Sequence, residues 1–518
     1  MNTQRIRVQS YSLSDAKELH PLADRYFYGA IFLGVFVFFA ITYPYRDISF
    51  PSPFLAMVGL VTVAGLTLAS WLRPQYYWAC IAFCVYIPFS GEYAGDFGGN
   101  MLGLNFTNIL MVPIILQLLM QRNYLNTPWV RLHTPDLPLL CFCILSSVSL
   151  MRGAIEQGTP YATVMVIGLK RWLFPFLIYF VFVNLARSER GVKHLLMAIC
   201  TVLTAIAILA MKESYDIGPR GTWDSMRVQG VLGQANSTGT FFVYYTLIFL
   251  GFFLCYWREK RYWLLLIPFL VCGRALTLAN SRGGLIAFTV AFLATLWFRS
   301  KRLFLIGLTV VVVGSIYPQY LPETISGRLF TTIRPEPDGV DVDTPGEGSL
   351  ADRLDKSARG RLAIWTAGIQ MVEDKPLMGF GYGEFPRRIG SYDVLVAGRD
   401  PHNTYLGIAA EMGLVALFFF LLSLFLILRS CLRVYRHAPD RYMRSVGLAG
   451  TGMLLGVLCA NFFGSRLDTT ELTAYLWILS AIIVQYDTEL RAKAAALRRS
   501  PRRLVVFPWI RDEEKVVV

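Results

Sequence analysis

Apolar residues in this chain run in long unbroken stretches, not in the alternation of a half-buried strand or the one-faced stripe of a soluble helix. Stretches of roughly 15–25 residues, long enough to cross a hydrocarbon core of about 30 Å as helices, recur along almost the whole length. They predict spans near Tyr26–Pro44, Pro53–Leu72, Tyr76–Phe89, Leu104–Leu119, Leu137–Leu150, Tyr161–Val183, His194–Met211, Ser237–Tyr256, Trp263–Ala279, Gly284–Phe298, Leu303–Pro318, Met412–Leu428, Val446–Phe463 and Leu472–Tyr486. That is about fourteen helices, or about twelve if the shorter ones pair or re-enter. The expected fold is all-α, a polytopic transmembrane helical bundle. Its divisions are an N-terminal segment (1–25), helices with short loops (26–318), one long loop (319–401), C-terminal helices (402–486) and a basic tail (487–518).

Composition agrees with a membrane protein. Hydrophobic residues make up 55%, charged residues only 16%, and mean hydropathy is +0.47. The basic residues fall mostly in alternate loops: Arg5, Arg7, Lys17 and Arg25, then Arg122 and Arg131, Arg187/Arg190/Lys193, Arg258/Lys260/Arg261, Arg299/Lys301/Arg302, the Arg429–Arg444 loop and the tail with Arg498, Arg499, Arg502 and Arg503, while the other short loops carry at most one each except that around Lys212, Arg220 and Arg227. Because short basic loops stay in the cytoplasm, both termini are expected there. The net charge of +14 is then mostly this orientation signal, with the tail available to anionic membrane lipids, and requires no nucleic acid. The first apolar run begins late and is long enough to remain as an anchor, so no cleaved signal peptide is expected. The nine cysteines lie in apolar runs or at cytoplasmic edges, which implies no disulfide framework. No repeat of fixed period appears, which weighs against a transporter built from duplicated halves.

The loop from Gln319 to Pro401 breaks the pattern of short connections and by parity lies outside the cytoplasm. Structureless loops of that length are uncommon, so function is expected there. Its first part, RPEPDGVDVDTPGEGSLADRLDKS from Arg334, is rich in proline, glycine and acids. Further on, Leu362, Trp365, Ile369 and Val372 recur at helical spacing and predict an amphipathic helix over the membrane face, ended by Pro376 and the glycine-rich GFGYGEF.

Of five histidines, His402 alone maps to the outer side; His20, His133, His194 and His437 fall on cytoplasmic segments or edges. His402 follows Pro401 at the start of the penultimate long apolar stretch but one. A helix N-terminus disfavours imidazolium, so a neutral ring is expected, as a general base requires; a plain cap or interfacial residue is the competing reading. Outer arginines stand at Arg227, in RVQGVLGQANSTG, and at Arg282, in NSRGGLIAF. A guanidinium offers a fork for phosphate, although a membrane-edge arginine also serves as an anchor. Arg361, in GRLAIW, has acids of its own loop to pair with. Lys170 and Arg171 lie within an apolar run and face either a hydrated cavity or the cytoplasmic edge. Asp341-Val342-Asp343 has the form of a metal-binding DxD but sits in a run of acids. Walker A, HExxH, CxxC and GxSxG motifs are missing, against an ATPase, a zincin or a serine hydrolase.

The ordered strings RVQGVLGQAN from Arg227, NSRGG from Asn280, GRLAIWTAGIQMVEDKPLMGFGYGEF from Gly360 and HNTYLGIAAEMGL from His402 resemble the O-antigen ligase and polymerase superfamily over roughly Met226 to Phe420. The resemblance implies a GT-C-like inner-membrane glycosyltransferase with no metal and no cofactor, moving a glycan from undecaprenyl pyrophosphate to lipid A-core or another glycan on the periplasmic face. Carried over by motif, Arg227 and Arg282 bind the pyrophosphate, with Arg361 a third candidate, and His402 is the catalytic base. The long N-terminal segment, the basic tail and the acidic insertion after Arg334 depart from the pattern and leave acceptor and subtype open. A Wzy-type polymerase of repeat units shares the motifs. A flippase for lipid-linked glycan is the reading from another class.

Overall fold

The computed structural model describes residues 61–62, 64–69, 77–90, 106–125, 131–185, 189–218, 226–320 and 356–499. The span expected at Tyr26–Pro44, most of that at Pro53–Leu72, His20, the Asp341-Val342-Asp343 string and the end of the basic tail lie outside the described residues. Every span expected from Tyr76 onward coincides with a helix, and no strand occurs among the described residues.

In chain order the helices are α1 (Trp78–Tyr86), α2 (Phe106–Leu125), α3 (Asp136–Gln157), α4 (Thr159–Leu185), α5 (Glu189–Ile217), α6 (Ala235–Tyr256), α7 (Leu266–Leu278), α8 (Arg282–Arg299), α9 (Lys301–Ile316), α10 (Lys356–Asp374), α11 (Thr404–His437), α12 (Arg441–Ala460) and α13 (Thr470–Arg499). Among the described residues eight helices are long and apolar enough to cross a membrane, which makes this an integral, polytopic helical membrane protein. α12 is the hub, packed on α6, α8 and α11, and α13 lies against α4 and α11. Lipid tails are as apolar as leucine, so close packing rather than water exclusion holds such helices together. The buried Trp477 of α13 shows how: its ring meets Phe176 edge-on at 4.8 Å and Tyr179 at 6.0 Å, both on α4.

Successive helices return to alternate ends of the bundle, and the two ends differ chemically. One gathers the basic links. Arg299 and Arg441 donate to the last carbonyls of α6, Leu254 O at 3.1 Å and Cys255 O at 2.8 Å, where the helix dipole favours cations. Arg433 pairs with the buried Asp487 at 2.6 Å. His133, His194 and His437 belong to this end, and His133 Nδ1 lies 3.2 Å from the carboxylate of Asp136 at the start of α3.

The opposite end carries Arg227, Arg282 and His402, and two expectations need correcting there. First, α11 does not begin at Met412 as one straight span. It starts at Thr404 and is broken at Gly413, whose φ of 89° and ψ of 166° suit glycine and few other residues. The break frees backbone groups that the glycine-rich stretch before it takes up. Leu414 N–H donates to Pro376 O at 2.8 Å, while Phe380 and Gly381 N–H donate to Ala410 O and Glu411 O, each at 2.9 Å. The GFGYGEF string is therefore a clasp across a split helix, and it dips between α3 and α4: Tyr382 N–H donates to Ser149 O, and Tyr161 Oη donates to Tyr382 O. Second, the expected amphipathic helix is present as α10, but only half of its expected stripe packs: Trp365 and Val372 lie against the cluster, while Leu362 and Ile369 do not. Ile364, Ala367 and Met371 are its buried positions, packed with Phe380, Phe385, Ile389, Val396 and Ala410, whereas Leu362 and Ile369 are 44% and 53% exposed. The helix is apolar on two faces, and the face turned to the clasp is the one that packs.

Candidate functional site

Three separate corners of the sequence meet at the non-basic end of the bundle. The first is Met226–Gln234, between α5 and α6. Its backbone is pinned from two sides: Glu213 of α5 accepts from the amides of Gln229 and Gly230, each at 2.8 Å, and Val228 N–H donates to Leu278 O at 3.2 Å. Arg227 is half-buried, with Nη2 donating to Asn236 Oδ1 at 2.5 Å and Nε to Ala279 O at 3.3 Å. An interfacial anchor pointing into lipid would make neither contact, so the guanidinium is held in protein.

The second corner is Ala279–Arg282, between α7 and α8. Asn280 adopts a left-handed conformation at φ 52°, reversing the chain, and Ser281 caps α8 by accepting from Gly284 N–H at 3.3 Å. Arg282 is then the first residue of α8, half-buried, three positions beyond the carbonyl that Arg227 grips. The fold thus brings Arg227 and Arg282 to one place although 55 residues separate them in sequence (282 minus 227).

His402 heads the third corner. It is not in the first turn of α11: Asn403 is the N-cap, accepting from Tyr405 and Leu406 N–H at 3.0 and 3.2 Å, and His402 stands outside it with φ 45°. A non-glycine residue in that conformation is held by its surroundings, which is common where a side chain must be aimed. Burial lowers the His402 pKa, and the charge of Arg361 lowers it further, as do Arg466 and Arg399; Asp400 opposes them. The shift favours the neutral ring, and its causes are desolvation and guanidinium charge. Arg361, on α10, thereby acts on His402. Trp365, on the next position but three of α10, donates from Nε1 to Pro401 O at 3.2 Å and fixes the strand of chain leading into the histidine.

Sequence reasoning missed the turn between α12 and α13, Asn461–Thr469, which touches all three corners. Asn461 O accepts from Thr404 N–H at 3.0 Å, and Asn461 Oδ1 lies 3.0 Å from the Thr404 hydroxyl. Phe462 meets Trp365 edge-on at 5.3 Å. Phe463 packs so closely on Gly283 that a Cβ there would lie 2.8 Å from the phenylalanine Cβ. Arg466 Nη1 donates to Gln234 Oε1 at 2.6 Å. Asp468, in the same turn, has its pKa raised by burial and pulled back by Arg466 and Arg171, among others. Arg171 therefore faces this end rather than the basic one, which resolves the choice its sequence position left open. The signal that was present is that Arg466 stands alone in a link otherwise without basic residues.

Among the described residues no three His, Cys, Asp or Glu side chains converge as a metal-binding set. What the corner offers chemically is a partly buried imidazole under the charge of Arg361, Arg466 and Arg399.

Comparison with known proteins bears on what such a corner is for. Residues 267–421, which take in the Arg282 corner, α10, the clasp and His402, match the family model described as O-Antigen ligase. An O-antigen ligase of Pseudomonas aeruginosa is 24% identical over 401 residues, covering 76% of this chain and 87% of that protein. The matched stretch holds the Arg282, α10, clasp and His402 strings in chain order, and over it the chain is similar to the O-antigen ligase family.

Proposed function

We propose that the chain is an inverting, metal-independent glycosyltransferase that takes a glycan from undecaprenyl pyrophosphate and joins it to an acceptor, lipid A-core or a similar glycan, on the periplasmic face of the inner membrane. The observation that supports this reading is that the α12–α13 turn contacts the segments bearing Arg227, Arg282 and His402, at Gln234, Gly283 and Thr404. The likeness to O-antigen ligases supports a glycosyltransferase-type membrane enzyme; donor, acceptor and side of the membrane are part of the proposal.

The chemistry requires little more than these groups. The acceptor hydroxyl attacks the anomeric carbon of the lipid-linked sugar, His402 takes the hydroxyl proton, and the bond from that carbon to the pyrophosphate oxygen breaks. The electron pair leaves with the pyrophosphate, and configuration inverts. Charge then grows on the leaving group, and fixed guanidinium donors in a recess with little water stabilise it more than solvent would. Arg361, through its effect on His402, favours the free base in the resting enzyme. The apolar outer faces of α7 to α9, with Leu270, Ile286 and Val310 exposed, are suited to lie beside a polyprenyl chain.

The experiment is the gel profile of surface glycan in a strain deleted for this gene. Long chains retained on the lipid carrier, with bare acceptor, support transfer of a finished glycan. A single repeat unit on the acceptor indicates a polymerase instead, and unchanged glycan on both sides rejects the enzyme reading.

A further inference from the structure

Arg466 is a charge without a carboxylate. No ion pair within 4.0 Å joins it to an Asp or Glu of the described residues, although Asp468 is two positions away in the same turn. Among the described residues its one side-chain bond is to a neutral amide, Gln234 Oε1, through Nη1, which leaves Nε and Nη2 available to a ligand there. The backbone beneath is rigid: its own N–H donates to Asn461 Oδ1 at 3.3 Å, and Gly464 O is 3.1 Å from the Thr404 hydroxyl. Burial lowers its pKa, the direction that marks an incompletely compensated cation, while Asp468, Tyr244 and Asp400 act from a distance to raise it. A partly desolvated guanidinium is unfavourable unless an anion completes it. The same turn spans from the His402 segment to Gly283, beside Arg282, and to Gln234 in the Arg227 segment.

We infer that Arg466 is a third phosphate-binding guanidinium of this site, reaching the donor's diphosphate from the α12–α13 turn. This rests on the donor reading above. Gln234 holds Nη1 and so orients the planar fork, while Nε and Nη2 present two parallel N–H groups, the geometry that suits a phosphate. Arg466 thereby sets the distance between leaving group and base, because its turn also fixes the start of α11.

The test uses the full-length protein in lipid nanodiscs with undecaprenyl pyrophosphate and undecaprenol as probes. Wild type should prefer the pyrophosphate. Arg466→Gln should weaken pyrophosphate binding by about tenfold or more and leave undecaprenol binding unchanged. Arg466→Lys, which keeps charge but loses the fork, should fall between. A second readout separates binding from mere support: removing the cation should move the acid limb of the kcat/KM profile upward in pH, since Arg466 acts on His402 together with Arg361, Arg399 and Asp400. If the Gln variant fails to insert, the Lys variant carries the test, and unchanged pyrophosphate affinity there overturns the inference. Unchanged affinity in Arg466→Gln overturns it while leaving Arg227 and Arg282 as the donor site. Wild type that does not distinguish the two probes overturns both this inference and the donor reading.

Discussion

Gly413→Ala probes whether the clasp on α11 matters. The wild-type φ of 89° with ψ of 166° lies where an L residue is strained, at about 1–3 kcal/mol. A Cβ would also stand 2.1 Å from Leu377 O and 2.4 Å from its carbonyl carbon, so backbone must move. That movement threatens the bonds from Leu414 to Pro376 and from Phe380 and Gly381 to α11, each worth about 0.5–1.5 kcal/mol. Strain plus two or three lost bonds gives about 2–7 kcal/mol. With an unfolding entropy of about 2 cal/mol/K per residue, the melting temperature of the purified protein should fall by about 2–7 °C. Transfer activity should fall with it, because the clasp positions the short helix that His402 precedes. The control is Gly273→Ala in α7, where nothing lies within 4 Å of the new methyl and helix propensity favours alanine by up to about 1 kcal/mol. If Gly413→Ala melts and turns over as wild type does, the clasp is incidental and the account of GFGYGEF is wrong.

Arg282→Lys keeps the charge and loses the planar fork, so it should cut kcat/KM by about tenfold or more, while Arg302→Lys, on the basic end, should change it by less than about twofold; equal mild effects would reduce Arg282 to an anchor. The pKa of His402 is lowered in the folded protein, so the catalytically active free base persists as pH falls, and the acid limb of kcat/KM should lie below the ordinary value of 6.5; a limb above that value contradicts the environment described. Activity should survive EDTA, and Asp341→Ala with Asp343→Ala should be nearly silent; strict Mg²⁺ or Mn²⁺ dependence would favour the DxD reading.

Where the sequence was legible follows from the physics of a bilayer. Apolar runs are long because every backbone polar group must be paired within its own helix, so the existence of the helices from Tyr76 to Tyr486 was legible, while several of their ends extend beyond the apolar runs, as at Thr404 and Arg499. Motif order singled out Arg227, Arg282 and His402, and the α12–α13 turn touches the segment of each. The break at Gly413 was hidden because a split helix keeps its apolar composition, and the partner groups that satisfy it come from residues 376–381. The buried face of α10 was misread because periodicity finds an apolar stripe without saying what it packs against. Arg466 escaped notice because a lone arginine in a short link has the spacing of an anchor, and only its approach to Gln234 gives it another role.

The central claim is that His402 takes the acceptor's proton, and His402→Gln tests it most directly. Glutamine can still hydrogen-bond but cannot accept the proton, so it separates positioning from base catalysis. In a reconstituted assay with lipid-linked glycan and acceptor, the account predicts a loss of about 10²–10⁴-fold in rate with expression and membrane insertion intact. Turnover of the glutamine variant near the wild-type rate would make His402 a structural residue and contradict the mechanism.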